Sequence, residues 1–246
     1  MRNLNPLNIW RSFLALPNTT PLKTLGVAFL VALVCSVIVS LAAVTLKPLH
    51  DKNRLQARVS AMIEMLDGIG AGFPQQRWVN RTTGEYANRK TQDQTLLKPE
   101  LDLAGLQQVE GVFEVYELRQ DGRLQLVVLP IRGVGYKSMM KGYLALKSDL
   151  KTIAALTFHQ QDESPGMGAR IMEKEWQDLW KGKNTIDENG VIRIKIVKGK
   201  SEGVYQVDGI TGATRTGWGI NDLLQFWLGP DGYGPYLERL KLEAGS

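Results

Sequence analysis

The longest apolar run in the chain is Leu25–Leu46, 22 residues without a charge. As a helix it would be about 33 Å long, enough to cross a bilayer core of about 30 Å. The pattern therefore predicts one transmembrane helix. A cleaved signal peptide is the alternative, since Ser40-Leu41-Ala42 is similar to a cleavage site. Signal peptides, however, carry apolar regions of only about 7–15 residues, so an uncleaved anchor is the better reading. Between Asp51 and Asp67, Leu55, Val59, Met62 and Leu66 recur at helical spacing, and Gly68 and Gly70 close the pattern. That predicts a juxtamembrane helix laying one face on a domain, with a partner-binding face as the alternative. Residues 73–100 are rich in Gln, Asn, Arg and Thr and read as a long surface segment.

From residue 101 the period shortens. Val112–Leu118 and Leu124–Ile131, joined by Gln120-Asp121-Gly122-Arg123, predict a β-hairpin, and Tyr143–Lys147 with Thr152–Phe158 predict a second pair. Val191–Lys198 alternates apolar and polar residues behind an Asn189-Gly190 turn, and Val204–Asp208 reads as a short strand. Helices are predicted over Ala169–Trp180, Trp218–Leu228 and Pro235–Leu242. Strands and helices do not alternate regularly, so the expected fold class is α+β, an antiparallel sheet flanked by helices behind one N-terminal transmembrane helix. The expected division is an N-terminal segment (1–24), the span (25–46), a juxtamembrane helix and surface segment (47–100) and a folded domain (101–246).

Composition narrows the chemistry. The net charge is +5, with no Lys/Arg run interleaved with aromatics, so nucleic-acid binding is not indicated. Cys35 is the only cysteine and lies inside the apolar run; His50 and His159 are the only histidines. No intrachain disulfide, cysteine-based metal cluster or Cys–His nucleophile pair is available. Arg2, Arg11 and Lys23 precede the span, while Lys47, Lys52, Arg54 and Arg58 follow it, so charge bias does not set the orientation.

The candidate chemistry gathers at Asp208-Gly209-Ile210-Thr211-Gly212-Ala213-Thr214-Arg215-Thr216, just before the helical run at Trp218. Small residues admit a ligand to the backbone, and a helix start offers free N–H groups to an anion. The stretch suits a phosphate-bearing ligand; an ordinary strand–turn–helix connection remains the alternative. Two further loops have ligand-binding composition. Gly133-Val134-Gly135-Tyr136-Lys137-Ser138 sets glycines beside a tyrosine and a cation, and Asp162-Glu163-Ser164-Pro165-Gly166-Met167-Gly168 is a small-residue turn. Neither has Walker or Rossmann spacing. Asp162 and Glu163, as adjacent loop carboxylates, are expected to be solvated.

Asp208-x-x-Thr211-Gly212-Ala213-Thr214 resembles the D-x-x-[S/T]-G-A-T flavinylation signature. The chain from about residue 23 to 237 is similar, in the same order, to the C subunit of the sodium-translocating NADH:quinone oxidoreductase. The similarity includes Lys23–Val27 and Leu33–Ser40, Gly133-x-Gly135 with Ser138-Met139-Met140, and Glu163–Gly168. It continues through Gly182-Lys183 with Ile194–Gly199, Phe226–Gly229 and Gly232–Tyr236. Where that family usually has G-x-G-L-W-S, this chain has Tyr136 and Lys137; Ser164 and Met167 stand where it tends to have Thr and Leu.

The resemblance implies FMN joined through its phosphate to the Thr214 hydroxyl by a flavin transferase. Asp208 would serve the transfer, Thr211, Gly212 and Ala213 would let the phosphate approach the backbone, and Thr216 would cap the following helix. Glu163, Ser164, Met167 and Tyr136 would line the flavin ring. Lys137 would place a cation near ring or phosphate, which favours reduced, anionic flavin. The family also implies a bacterial inner-membrane location with the FMN domain periplasmic, in a six-subunit complex. There the protein relays electrons between an iron–sulfur-bearing membrane subunit and a second FMN-bearing subunit. Two alternatives remain: the related G subunit of the ion-translocating ferredoxin:NAD oxidoreductase, and a membrane-anchored binding module without a redox group.

Overall fold

The computed structural model describes residues 20–88 and 93–244, together with residues 11, 15 and 17. The expected N-terminal segment 1–24 lies mostly outside the described residues. The helix α1 (Pro21–Gly68) is 48 residues long, so the span and the juxtamembrane helix expected as two elements are one. Pro48 sits inside it. A proline removes one helical hydrogen bond, and here the ladder continues on either side.

The chain forms two compact units, the first ending at Leu55 and the second beginning at Gln56. In the first, the apolar side chains of α1, among them Leu25, Phe29, Val37 and Val44, are exposed. Thr45 returns its hydroxyl to the Leu41 carbonyl at 2.9 Å, which satisfies a polar group within this apolar stretch. Among the described residues, α1 is the one helix long and apolar enough to cross a membrane.

The second unit is built on a five-stranded antiparallel sheet: β1 (Gln75–Asn80), β4 (Val112–Gln120), β5 (Arg123–Val134), β6 (Met139–Lys147) and β7 (Ile153–Gln160). The first hairpin closes through Asp121 (φ +51°) and Gly122 (φ +76°), the two positive φ values a type I′ turn needs. The sheet is covered on both faces, which explains the nearly continuous apolar run in β5. Val127, Leu129 and Ile131 face the main core with α3 (Thr214–Leu228) and α4 (Gly234–Ala244); Leu126 and Val128 face Met65 and Leu66 of α1.

Four expectations change. Residues 73–100 are not surface segment throughout: 75–80 form the edge strand β1, with Val79 buried, and 94–96 form β2 (Gln94–Leu96), paired with β3 (Gln108–Glu110). The helix expected over Ala169–Trp180 divides into a 3₁₀ turn, Gly168–Met172, and α2 (Lys174–Asp178). Of the strand expected at Val191–Lys198, only β8 (Lys195–Val197) is regular, running parallel to β9 (Gln206–Asp208). The helix expected from Trp218 begins at Thr214.

α3 buries Ile220, Leu223, Leu224 and Trp227, an i, i+3, i+4, i+7 stripe, against the sheet. Two glycines let its first turns lie close to the end of β5. A Cβ on Gly133 would sit 3.0 Å from the Leu223 side chain, and one on Gly219 would sit 2.5 Å from the Val134 carbonyl oxygen. The second turn of α3 is thereby pressed onto the strand that leads into the Gly135–Ser138 loop.

Candidate functional site

β9 delivers the chain to the motif with Asp208 paired to Val197. Gly209 passes so close to the Val197 carbonyl that no side chain would fit. Gly212 takes φ +79°, the left-handed region that side chains avoid, and faces Met167, 3.4 Å from where a Cβ would stand. Ala213 then occupies the N-cap position of α3 without a side-chain cap. The amides of Thr214, Arg215 and Thr216 have no intrahelical acceptor at this position, so the turn presents donors and the positive end of the helix dipole to an anion.

The three threonines differ. Thr211 and Thr214 are exposed, whereas Thr216 is 3% exposed and donates its hydroxyl to Glu163 Oε2 at 2.7 Å. Thr216 is therefore not the N-cap: the helix starts two residues before it, and its hydroxyl is spent on a buried carboxylate.

Glu163 is the centre of that contact. Its Oε1 accepts the Lys137 amide at 2.9 Å and the Ser138 amide at 3.1 Å. Burial by itself would raise its pKa. The Lys137 amide, the Thr216 hydroxyl and the Ser138 amide outweigh that and hold the carboxyl below its ordinary value. The expectation of two solvated carboxylates thus holds for Asp162, which is exposed, and fails for Glu163, which is 4% exposed. Glycines make room for it: a Cβ on Gly135 would lie 2.6 Å from Glu163 Oε1, and one on Gly168 2.6 Å from Thr216 Oγ1. Glu163 thereby ties the 135–138 loop and its own loop to the first turn of α3. Tyr136 is half exposed beneath the Arg215 guanidinium, 5.2 Å from its ring centre, and Lys137 is exposed. Ser164 is half-buried and its carbonyl accepts the Met167 and Ala169 amides; Met167 is exposed.

Asp208 is engaged from behind. Its carboxylate accepts the Ser201 amide at 2.7 Å, and Ser201, with Lys200 and Lys183 at longer range, holds its pKa below the usual value. Its carbonyl accepts the indole N–H of Trp176 at 3.0 Å.

A cleft of about 290 Å³ opens beside the motif, lined by Ile196, Lys198, Thr211, Thr214, Gly217 and Trp218 among others. Tyr136, Lys137, Glu163, Ser164 and Met167 are not among its walls. Asn221 fixes one side, accepting the Ile196 amide at 2.7 Å and donating to the Ile196 carbonyl at 3.2 Å. Trp218 and Asn221 went unnoticed in the sequence, although Thr214, Gly217, Trp218 and Asn221 fall at i, i+3, i+4 and i+7 and so share one helical face. Ser201 and Trp176 had no such signal, because their contacts with Asp208 come from the fold.

The donor set and the space fit an FMN phosphate: an exposed hydroxyl, an uncapped helix start and an adjoining cleft. Among the described residues no cluster of three or more metal-ligating side chains is present. The FMN-binding domain family matches residues 135–229, a span holding both loops and the whole motif. The chain is also 34% identical over 250 residues to the C subunit of the Na(+)-translocating NADH-quinone reductase of Pseudomonas aeruginosa, across 89% of this chain and 95% of that one.

The chain belongs to the family of that C subunit. The corresponding protein of Neisseria meningitidis is 35% identical over 241 residues, covering 89% of this chain and 93% of its own. The crystal structure of Shewanella oneidensis NqrC matches the fold with a TM-score of 0.69 at 25% identity, covering 78% of this chain and 99% of that one. The resemblance traced through the sequence from about residue 23 to 237 is thus one of family membership, and the α+β fold with an FMN-binding domain is the family's.

Proposed function

We propose that this chain is the membrane-anchored component of a sodium-translocating NADH:quinone reductase that carries FMN as a phosphoester on Thr214 and relays electrons within the complex. The observation that carries the attachment is Thr214 itself. It is an exposed hydroxyl at the first position of α3, behind an N-cap that supplies no side-chain bond. Thr216 is already committed to Glu163, and Thr211 lies in the turn ahead of the helix. Gly212 and Ala213 leave the backbone open to the phosphate, and the amides of Thr214–Thr216 supply donors to it. Asp208, exposed in part and held by Ser201, keeps the entry to the motif fixed for a flavin transferase. Tyr136, Lys137, Ser164 and Met167 border the same helix start, and Glu163 holds their two loops to it. When bound, FMN supplies the electron-carrying ring; the protein fixes where that ring sits.

In this reading the FMN domain is periplasmic, with partners in an iron–sulfur-bearing membrane subunit and a second FMN-bearing subunit. The relatives described above are all C subunits of the sodium-translocating enzyme, and nothing further favours the ferredoxin-linked G subunit. The test is the full chain made with an active flavin transferase and run on a denaturing gel. A fluorescent band is expected, lost in Thr214→Ala, with the mass of FMN on the peptide holding Thr211, Thr214 and Thr216. A colourless wild-type band, or the added mass on another threonine, would overturn the assignment.

A further inference from the structure

We propose that the cleft between Trp218 and Lys198 is the surface on which the flavin transferase docks, through an acidic face of that enzyme with an apolar side chain at its centre. The inference rests on the reading that FMN is attached at Thr214, and it names the part of this chain that the attaching enzyme holds. The acceptor hydroxyl alone does not say: a threonine in a glycine-rich turn offers another protein little to grip.

The cleft is made from the motif and stands apart from the ring loops. Its walls are Gly209–Thr214, Ile196–Gly199, and Gly217 with Trp218. A protein seated there touches the acceptor residue itself. Tyr136, Lys137, Glu163, Ser164 and Met167, on the loops that border the ring, contribute none of these walls, so partner and ring take different surfaces. At about 290 Å³ the cleft is at the lower end of the roughly 300–1,000 Å³ of small-molecule sites. That is room for an anchoring side chain of a partner rather than for a whole nucleotide.

Trp218 and the charges near it decide what kind of partner fits. The indole is 61% exposed, the one large apolar side chain of α3 left in water while Ile220, Leu223 and Trp227 are buried. Its area gains nothing from the fold, and tryptophan is enriched among the side chains that dominate protein interfaces. Lys198 lines the cleft and Lys200 follows it; both are exposed, and among the described residues neither is ion-paired. Nearby cations are already engaged: Lys181 by Asp178, Arg193 by Asp187, and the Lys183 ammonium by the Gly203 carbonyl. From Lys195 to Trp218 the chain carries four cations against Glu202 and Asp208, and the Asp208 carboxylate already accepts the Ser201 amide. Unpaired lysines beside an exposed indole suit carboxylates around an apolar side chain, a match that also steers the encounter. A second copy of this chain would set the same lysines against each other in a symmetric contact. A permanent subunit over these walls would close the acceptor to modification. The contact is small, in the class of transient encounters, as an enzyme that modifies and leaves requires.

The full chain, made without transferase and solubilised in detergent, is flavinylated by purified transferase with flavin adenine dinucleotide. In the transfer the Thr214 oxygen takes the FMN phosphoryl group, the pyrophosphate bond breaks, and adenosine monophosphate and the hydroxyl proton leave. The rate at which the fluorescent gel band appears is measured against chain concentration. Trp218→Ala is expected to raise KM for the chain about tenfold or more with kcat near wild type, the loss that truncating an interface tryptophan sets. Trp218→Phe is expected to recover most of it. Lys198→Glu with Lys200→Glu should raise KM as well, and should abolish the rise of KM with added salt seen in wild type. Melting temperatures equal to wild type, expected for exposed side chains, separate these effects from misfolding. KM unchanged in both the tryptophan and the lysine variants overturns the docking and leaves the Thr214 attachment standing. A lower kcat at unchanged KM also overturns it, because the cleft would then shape the acceptor instead of holding the enzyme. Variants that are flavinylated like wild type but no longer copurify with the partner subunits give the surface to a permanent subunit, and overturn it too. A colourless wild-type band overturns the attachment and the docking together.

Discussion

Replacing Glu163 by alanine removes the acceptor of a buried network and strands its donors unequally. Hydrogen bonds to a charged group are worth about 1.5–3 kcal/mol each, and a buried donor left unpaired costs about 1–3 kcal/mol. The amides of Lys137 and Ser138 lie in a loop that water reaches, so solvent replaces most of what they lose. Thr216 is 3% exposed and has no such recourse. The net cost comes to about 3 kcal/mol, most of it at Thr216. Glutamine keeps one oxygen for the two amides and can turn its NH₂ toward the Thr216 oxygen, so Glu163→Gln should cost only about 1 kcal/mol. In thermal unfolding of the detergent-solubilised chain, followed by tryptophan fluorescence, the alanine variant should melt lower by about 6–12 °C and the glutamine variant by about 2–4 °C.

Acid provides a second reading. The folded pKa of Glu163 is depressed, so its contribution is fully present above the unfolded value of 4.5 and is lost as pH falls through the lower folded value. The gap between wild type and Glu163→Gln should therefore close in acid. Equal melting of the alanine and glutamine variants, or a gap that widens below pH 4.5, would refute the network as described.

Two other perturbations follow from the same geometry. Gly212→Val forces a β-branched residue to φ +79° against Met167, at a cost of about 2 kcal/mol or more. It should lower both the melting temperature and the flavin retained on a denaturing gel. His159 packs on Tyr143, and its pKa is pushed down to about 4, first by burial and then by the charges of Arg58 and Lys141. Protonation therefore favours the unfolded chain, so wild-type stability should decline as pH falls from 6.5 toward about 4. His159→Gln should flatten that decline in denaturant unfolding across the same range.

What could be read ahead of the structure was what depends on local pattern or chemical identity. Leu25–Leu46 needs only the absence of charge to mark a span. Asp121-Gly122 needs only its two tolerant residues to mark a hairpin, and Asp208–Thr214 only its lettering to point to an FMN-binding domain. Where a residue's role depends on a distant partner, the pattern misled. Gln75–Asn80 looks like loop because an edge strand shows water most of its surface, and only Val79 is fully buried there. Glu163 looks solvated beside Asp162 because the hydroxyl that donates to it lies 53 residues further on. Thr216 looks like a cap because the polar Thr214-Arg215-Thr216 hides two further helical positions before the apolar stripe begins.

The pieces that were missed are the ones that hold the start of α3. Glu163 holds the first turn of α3 through Thr216, and Asn221 holds its second turn to the backbone of Ile196 through paired bonds. Gly219 and Gly133 press the same turns onto β5. A hydroxyl on a loop would be less closely placed than one on a helix held in this way. Thr214 instead stands at the start of a helix held along its first three turns, on a rigid element of the kind that holds functional groups most closely in place. On the proposed attachment, a linkage that leaves the flavin ring free is thus paired with an anchor that is not.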